Sequence, residues 1–381
     1  MVARLPGNGP HFEELDRRKM DQEYHTMRLI RDRTTIPIPE VFAWQTTSSS
    51  IGVPFALISF MPGMPVYKRW SNPQWSTAAK RAKILEQIAF YMSQLHKIEF
   101  DSLGAPRFNE QGDLVGLGPR YDCLSEFHSN IPWSELRTSG PWAAIQDYQR
   151  ERWDAAEENN AGNMYETDTV VMQLVTDSIP DYMHRRGKCY IRQPDMNWQN
   201  IFVDDDANVT AFIDWDGVDT SPSSMGFAAY PTWITRDWDP AMYGYDDEDK
   251  ELTAQSDDVS PAELSSYRQH YATVFESFAL PGHDARETGL SHIVEAVTIA
   301  MESRYCRDWI VPKILLHAFH GEIPFNYRQF SKQYLAGEGD ETLGIIRDAF
   351  EKMWYAEWEA DENERAISNR SSNSWWEALK D

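Results

Sequence analysis

One short stretch restricts what this chain can fold into more than any other. It reads Cys189-Tyr-Ile-Arg-Gln-Pro-Asp195-Met-Asn-Trp-Gln-Asn200-Ile-Phe-Val-Asp-Asp-Asp-Ala-Asn-Val-Thr-Ala-Phe-Ile-Asp214-Trp-Asp216. Residues 201–203 and 209–213 have the composition of paired strands, and the polar run 204–208 supplies the turn between them. Asp195 and Asn200 flank the loop that enters the first strand, and Asp214 ends the second. A hairpin of this kind brings three oxygen-bearing side chains to one place.

Such a set suits phosphoryl transfer. Magnesium takes oxygen ligands from one or two protein groups and completes its shell with phosphate oxygens and water. Asp214 offers a carboxylate and Asn200 a neutral carbonyl oxygen. Asp195 can orient an acceptor hydroxyl and take its proton, since positioning carries most of the catalysis when the transition state is loose. Any one of the three could instead cap a turn; the spacing of all of them is the informative feature.

Around this segment the chain reads as a small β/α piece followed by a mostly helical body. A short extended piece, Val2-Ala3-Arg4-Leu5, precedes a charged helix over 12–33, where Met20, Tyr24, Met27 and Ile30 recur at helical spacing. Ile36-Pro37-Ile38-Pro39 stops that helix. Residues 41–45 and 55–60 read as a hairpin, and Pro62-Gly63 marks a lobe boundary. Helices are expected over 77–97, 143–157, 170–184, 261–278, 291–303 and 341–360. The domains expected are thus 1–62, 63–362 and a polar tail, 363–381.

The central segment resembles the catalytic loop and metal motif of the aminoglycoside phosphotransferase and choline kinase-like family, most closely its fungal branch. Tyr230-Pro-Thr-Trp-Ile-Thr-Arg-Asp-Trp-Asp-Pro240 and Glu23-Tyr-His-Thr-Met-Arg-Leu-Ile30 add to the likeness, which runs from about residue 2 to about residue 360. The resemblance implies an α+β, bilobal protein-kinase-like fold with a small, N-terminally truncated lobe and a large helical one. It implies transfer of the ATP γ-phosphate to a hydroxyl of a small molecule, with ATP and Mg²⁺ as cofactors. Asp195 matches the family's catalytic Asp, and Asn200 and Asp214 its metal ligands. Glu23 matches the helix-borne Glu that anchors a phosphate-binding Lys. Ser59, Phe60 and Met61 fall where backbone groups of the hinge meet adenine. Asp216, Asp237 and Asp239 are the carboxylates expected to face the acceptor, the last two because Trp233 and Trp238 surround them.

The chain also departs from the family pattern. Arg4 stands where the phosphate-binding Lys belongs; it keeps the charge but is longer and planar, and it could equally be a charge on an edge strand. The glycine-loop hairpin that covers the phosphates does not precede Arg4. Gln193-Pro194 replaces the usual His-Gly before Asp195. A pseudokinase that binds without turnover, or a shortened gene model of an active kinase, fits these departures as well as an enzyme does.

Composition narrows the partners. The formal net charge of −24 argues against nucleic acid, which needs a basic face. It suits either a solvated acidic surface or a cleft for an amine-bearing, cationic acceptor. The run Asp246-Asp247-Glu248-Asp249 reads as a solvated loop. Three Cys with no Cys-x-x-Cys pair give no disulfide framework or zinc site, which favours a reducing, cytoplasmic setting. No apolar run approaches the roughly 20 residues of a membrane span, and no obligatory protein partner is evident. His-Glu-x-x-His and Gly-x-Ser-x-Gly are both absent.

Overall fold

The computed structural model describes the chain apart from residues 8–11, 13, 48–50, 122–137, 160–165, 247–257 and 357–381. It divides into two compact units, Met1–Ile145 with Gly187–Trp233, and Gln146–Arg186 with Ile234–Asp381. Position 62/63, expected as a lobe boundary, falls inside the first unit. The polar tail and Asp247, Glu248 and Asp249 lie outside the described residues, as does Cys123.

The first unit opens with β1 (Val2–Arg4), α1 (Glu14–Arg33), β2 (Val41–Gln45) and β3 (Phe55–Ile58). These strands form an antiparallel sheet in the order β1-β3-β2, with Ala3 and Ala43 both opposite Leu57. The helix buries Met20, Tyr24, Met27 and Ile30, the stripe anticipated from their spacing. At its end Thr34 Oγ1 donates to Ile30 O at 2.7 Å, competing with the helical ladder, and the prolines prevent continuation.

Next come β4 (Met64–Pro65), α2 (Val66–Trp70) and α3 (Ala78–Ser93). Thr77 caps α3 by accepting from Lys80 N, and Ile84, Leu85, Ile88, Ala89 and Met92 are buried along it. The pairs β5 (Glu99–Phe100), β6 (Ala105–Phe108) with β7 (Leu114–Gly118), and β8 (Arg120–Tyr121) with β9 (Thr138–Ser139) follow. The chain returns to this unit as β10 (Cys189–Arg192), β11 (Ile201–Val203), β12 (Val209–Phe212) and β13 (Asp219–Ser221). Here the expected hairpin is present: β11 pairs antiparallel with β12, Ile201 opposite Phe212. Its other edge takes β4, Pro65 opposite Phe202. Gln87 of α3 fixes the turn, donating to Ala207 O at 2.8 Å and accepting from Val209 N at 2.9 Å.

The second unit is helical: α4 (Ile145–Asn159), α5 (Glu166–Ser178), α6 (Pro261–Ser277), α7 (Ala285–Gly289), α8 (Ser291–Glu302), α9 (Arg304–Ala318), α10 (Tyr327–Leu335) and α11 (Asp340–Tyr355). Its core includes Tyr271, Phe275, Ile293, Val297, Ile314, Phe330, Phe350 and Trp354. Sequence reading did not anticipate α9, because Pro312 lies inside it. The helix runs through the proline because Cys306, Ile310, Val311, Ile314 and Leu315 bury one face, which outweighs the lost backbone bond. Cys189 and Cys306 are buried free thiols. Among the described residues no helix is long and apolar enough to cross a membrane.

Gly63 sets the approach of β4 to the hairpin. Its φ is +108°, and a Cβ there would lie 2.5 Å from Thr210 Oγ1 and 2.8 Å from Val203 O. Gly63→Ala therefore meets both strain and backbone. It is expected to lower stability by more than about 1 kcal/mol, read as a lower urea midpoint at unchanged slope.

Candidate functional site

The first unit brings most of the anticipated polar residues together around the ends of β10, β11 and β12. Asp195 lies in the loop leaving β10. Asn200 closes that loop, its Nδ2 donating to Asp195 Oδ2 at 2.8 Å and to Asp195 O at 3.0 Å. This use of the amide nitrogen leaves Oδ1 as the acceptor end of the side chain. Gln199 Nε2 also donates to Asp195 Oδ2, at 3.0 Å. Burial pushes the Asp195 carboxyl above its usual range, the two amide donors oppose this, and Asp214 adds to the rise.

Asp214 follows β12 with φ of +61°, a left-handed conformation that turns its side chain away from the strand's alternation. Gln193 holds this turn. Its Nε2 donates to Ile213 O at 3.0 Å and to Asp214 O at 3.1 Å. The Asn200 carbonyl accepts from Ile213 N at 2.9 Å, so the two loops are stitched by backbone as well.

Arg4 joins this group to α1. Its Nη1 donates to Glu23 Oε1 at 2.5 Å and its Nη2 to Asp214 Oδ1 at 3.1 Å. Glu23 is almost wholly buried, whereas Asp214 is half exposed. Burial pushes the Glu23 carboxyl up to about 7, against the pull of Arg4. A cavity of about 290 Å³ opens beside Arg4 and is bordered by Lys19, Glu23, Tyr24 and Asp216.

The remaining candidates are placed differently. Ser59, Phe60 and Met61 follow β3 as an extended segment. Ser59 exchanges bonds with Glu40, N to O and N to Oγ, both at 2.9 Å, and the Phe60 ring is 69% exposed. Asp237 and Asp239 belong to the second unit. The Asp237 carboxylate is buried between Arg268, at 2.6 and 3.2 Å, and Lys313, at 3.4 Å, so its charge is already balanced. Asp239 Oδ1 accepts from Ala241 N at 3.0 Å, a local turn contact.

Two supporting residues were not singled out in the sequence. Gln22 is buried and its Nε2 donates to Val218 O at 2.5 Å. Asp219 is buried between Arg192, at 2.9 and 3.0 Å, and Arg120, which ties the strand before Asp195 to the strand after Asp214.

The donor set fits magnesium, with one carboxylate and one amide oxygen leaving room for phosphate and water. Among the described residues no cluster of three or more His, Cys, Asp or Glu side chains forms a closed metal cage.

Residues 10–255 match the profile of the phosphotransferase enzyme family, APH, and the chain belongs to that family. The described residues mix helices with small antiparallel sheets, the α+β class expected from the sequence. A relative from Ampulloclitocybe clavipes, named Clavilactone A biosynthesis cluster protein Y, is 22% identical over 301 residues, which are 75% of this chain and 69% of that protein. An Arabidopsis thaliana protein named for acyl-CoA dehydrogenase activity, IBR3, is 26% identical over 96 residues. That match spans 25% of this chain and 11% of the relative's length. The GDP complex of an aminoglycoside 2'-phosphotransferase of type IIIa is 11% identical, with 82% of this chain and 86% of that chain covered and a TM-score of 0.41.

The raised pKa of Glu23 has a definite sign. The folded state holds a proton there that the unfolded chain releases near its ordinary value of 4.5. Stability from this group is complete below about 4.5 and is lost as pH rises through about 7. Glu23→Gln is expected to flatten the thermal midpoint across that window; an unchanged pH slope would show that the pair with Arg4 keeps the carboxylate ionised.

Proposed function

We propose that this chain is a small-molecule kinase that moves the γ-phosphate of ATP to a hydroxyl. The observation that carries the reading is the convergence of Asp195, Asn200 and Asp214, with Arg4 bridging Glu23 to Asp214. Membership of the phosphotransferase family supports the reaction class.

In this reading the acceptor O–H lies against Asp195. Its raised pKa makes it a better proton acceptor than an ordinary carboxylate, and Asn200 and Gln199 aim its oxygens. The acceptor oxygen bonds to the γ-phosphorus as the bond to the ADP oxygen breaks, and the hydroxyl proton passes to Asp195. Arg4, already oriented by Glu23, turns its guanidinium to the phosphates. Mg²⁺, when bound, would be held by Asn200 Oδ1 and the Asp214 carboxylate and would neutralise phosphate charge. Backbone groups of Ser59, Phe60 and Met61 receive the adenine. Among the acceptor-facing carboxylates expected from the sequence, exposed Asp216 borders the cavity beside Arg4, and with the net charge of −24 it favours a cationic, amine-bearing acceptor.

Thermal unfolding with and without Mg·ATP tests the nucleotide half of this proposal. A ligand present at a hundredfold excess over its dissociation constant adds about 2.7 kcal/mol to the folded state. The rise in midpoint is expected in the wild type and in Asp195→Ala, and is expected to vanish in Asp214→Ala. ADP release with a panel of amino alcohols and amino sugars tests the other half, where Asp195→Ala should lose about 10²–10⁴-fold in rate. Nucleotide binding without any release of ADP would make the chain a binding module, and an active Asp195→Ala protein would remove Asp195 as the base.

A further inference from the structure

Helix α1 reaches the loop around Asp214 through two successive residues. Gln22 bonds to Val218 O, and Glu23 acts through Arg4 on Asp214. Both contacts depend on where the helix lies. On one side β2 supports it: Trp44 Nε1 donates to Asp21 Oδ1 at 2.7 Å, and the Arg28 guanidinium lies 4.5 Å from the Trp44 ring.

On the other side stands the β6–β7 hairpin. The Phe108 ring stacks on His25 with centroids 5.1 Å apart and planes 21° from parallel. The same imidazole meets Trp44 edge-on at 4.7 Å, so His25 is wedged between β2 and the hairpin. The hairpin tip closes in as well. Gly112 has φ of +86°, and a Cβ there would lie 3.0 Å from His25 Cε1.

The root of the hairpin is fixed to the loop side. Gly104 N donates to Thr220 Oγ1 at 3.0 Å, and Thr220 N donates to Gly104 O at 2.9 Å. Thr220 lies on β13, six residues beyond Asp214. The contacts therefore close a circuit: from Asp214 along the chain to Thr220, across to Gly104, out along β6 to Phe108, onto His25, and back through Gln22 and Glu23 to Val218 and Asp214.

We propose that the β6–β7 hairpin is a brace that sets the position of α1, with Phe108 as a positioning residue for phosphate and metal binding that touches neither. The role in ligand binding rests on the phosphotransferase reading; the mechanical role does not. Phe108 is only partly buried, so its removal leaves the main core intact.

Hydrogen exchange and Mg·ATP titration on the full chain test the brace together. In Phe108→Ala, amide exchange over residues 20–27 is expected to quicken about tenfold or more while β11 and β12 keep their wild-type rates. Mg·ATP should bind about tenfold more weakly, equivalent to about 1.4 kcal/mol. Phe108→Tyr keeps the ring and should restore both readings. His25→Ala removes the other half of the stack, and the loss in the double variant with Phe108→Ala should fall short of the sum of the two single losses. Unchanged exchange in α1 overturns the brace, as does equal quickening in β11 and β12, which signifies general loosening. Exchange confined to α1 with an unaltered Mg·ATP affinity overturns the positioning role. If the wild type binds no Mg·ATP, the phosphotransferase reading falls and the exchange arm alone decides the mechanical claim.

Discussion

A carboxylate inside a protein needs a cation, and in the first unit that requirement organises the site. Glu23 is buried on α1, where an uncompensated charge would cost several kcal/mol. Arg4 supplies the compensation from β1 and, because a guanidinium has more than one face to offer, reaches Asp214 at the same time. One side chain thus links a strand of the first sheet, the helix beside it and the loop after β12. Lys in that place would be a single point charge and could not present two separate nitrogens along a rigid plane. The departure from the family pattern at Arg4 is therefore compatible with the same geometry.

The loops bearing Asp195 and Asp214 are held mainly by neutral groups. Gln193, Asn200 and Gln199 use amide nitrogens to fix backbone carbonyls or the Asp195 carboxylate. Charges appear one layer out, where Asp219 joins Arg192 and Arg120. Those ions tie β10 to β13 without adding net negative charge beside these loops. The cavity lining carries the acidic Asp16, Glu23 and Asp216 together with the basic Arg4 and Lys19.

Much of this was legible before any coordinates. The hairpin of β11 and β12 follows from two short apolar runs around a polar turn, and the apolar face of α1 from the spacing of Met20, Tyr24, Met27 and Ile30. Asp195 and Asn200 come together within one loop, a contact set by local chain geometry. What sequence could not supply were contacts between distant segments. Nothing local marks Phe108 as the partner of His25, or Gln22 as the partner of Val218. Asp237 shows the converse failure: its aromatic neighbours suggested a pocket, yet Arg268 and Lys313, far along the chain, already claim its charge. Helix α9 was hidden by Pro312, whose local cost is outweighed by burial that only the folded unit reveals.

Gln193 has a consequence beyond geometry. An imidazole holding the same two carbonyls would change its charge within the range a cell can reach, and its grip would change with it. The amide carries no titrating proton. The hold that Gln193 has on Asp214 in its left-handed turn is thus indifferent to acidification.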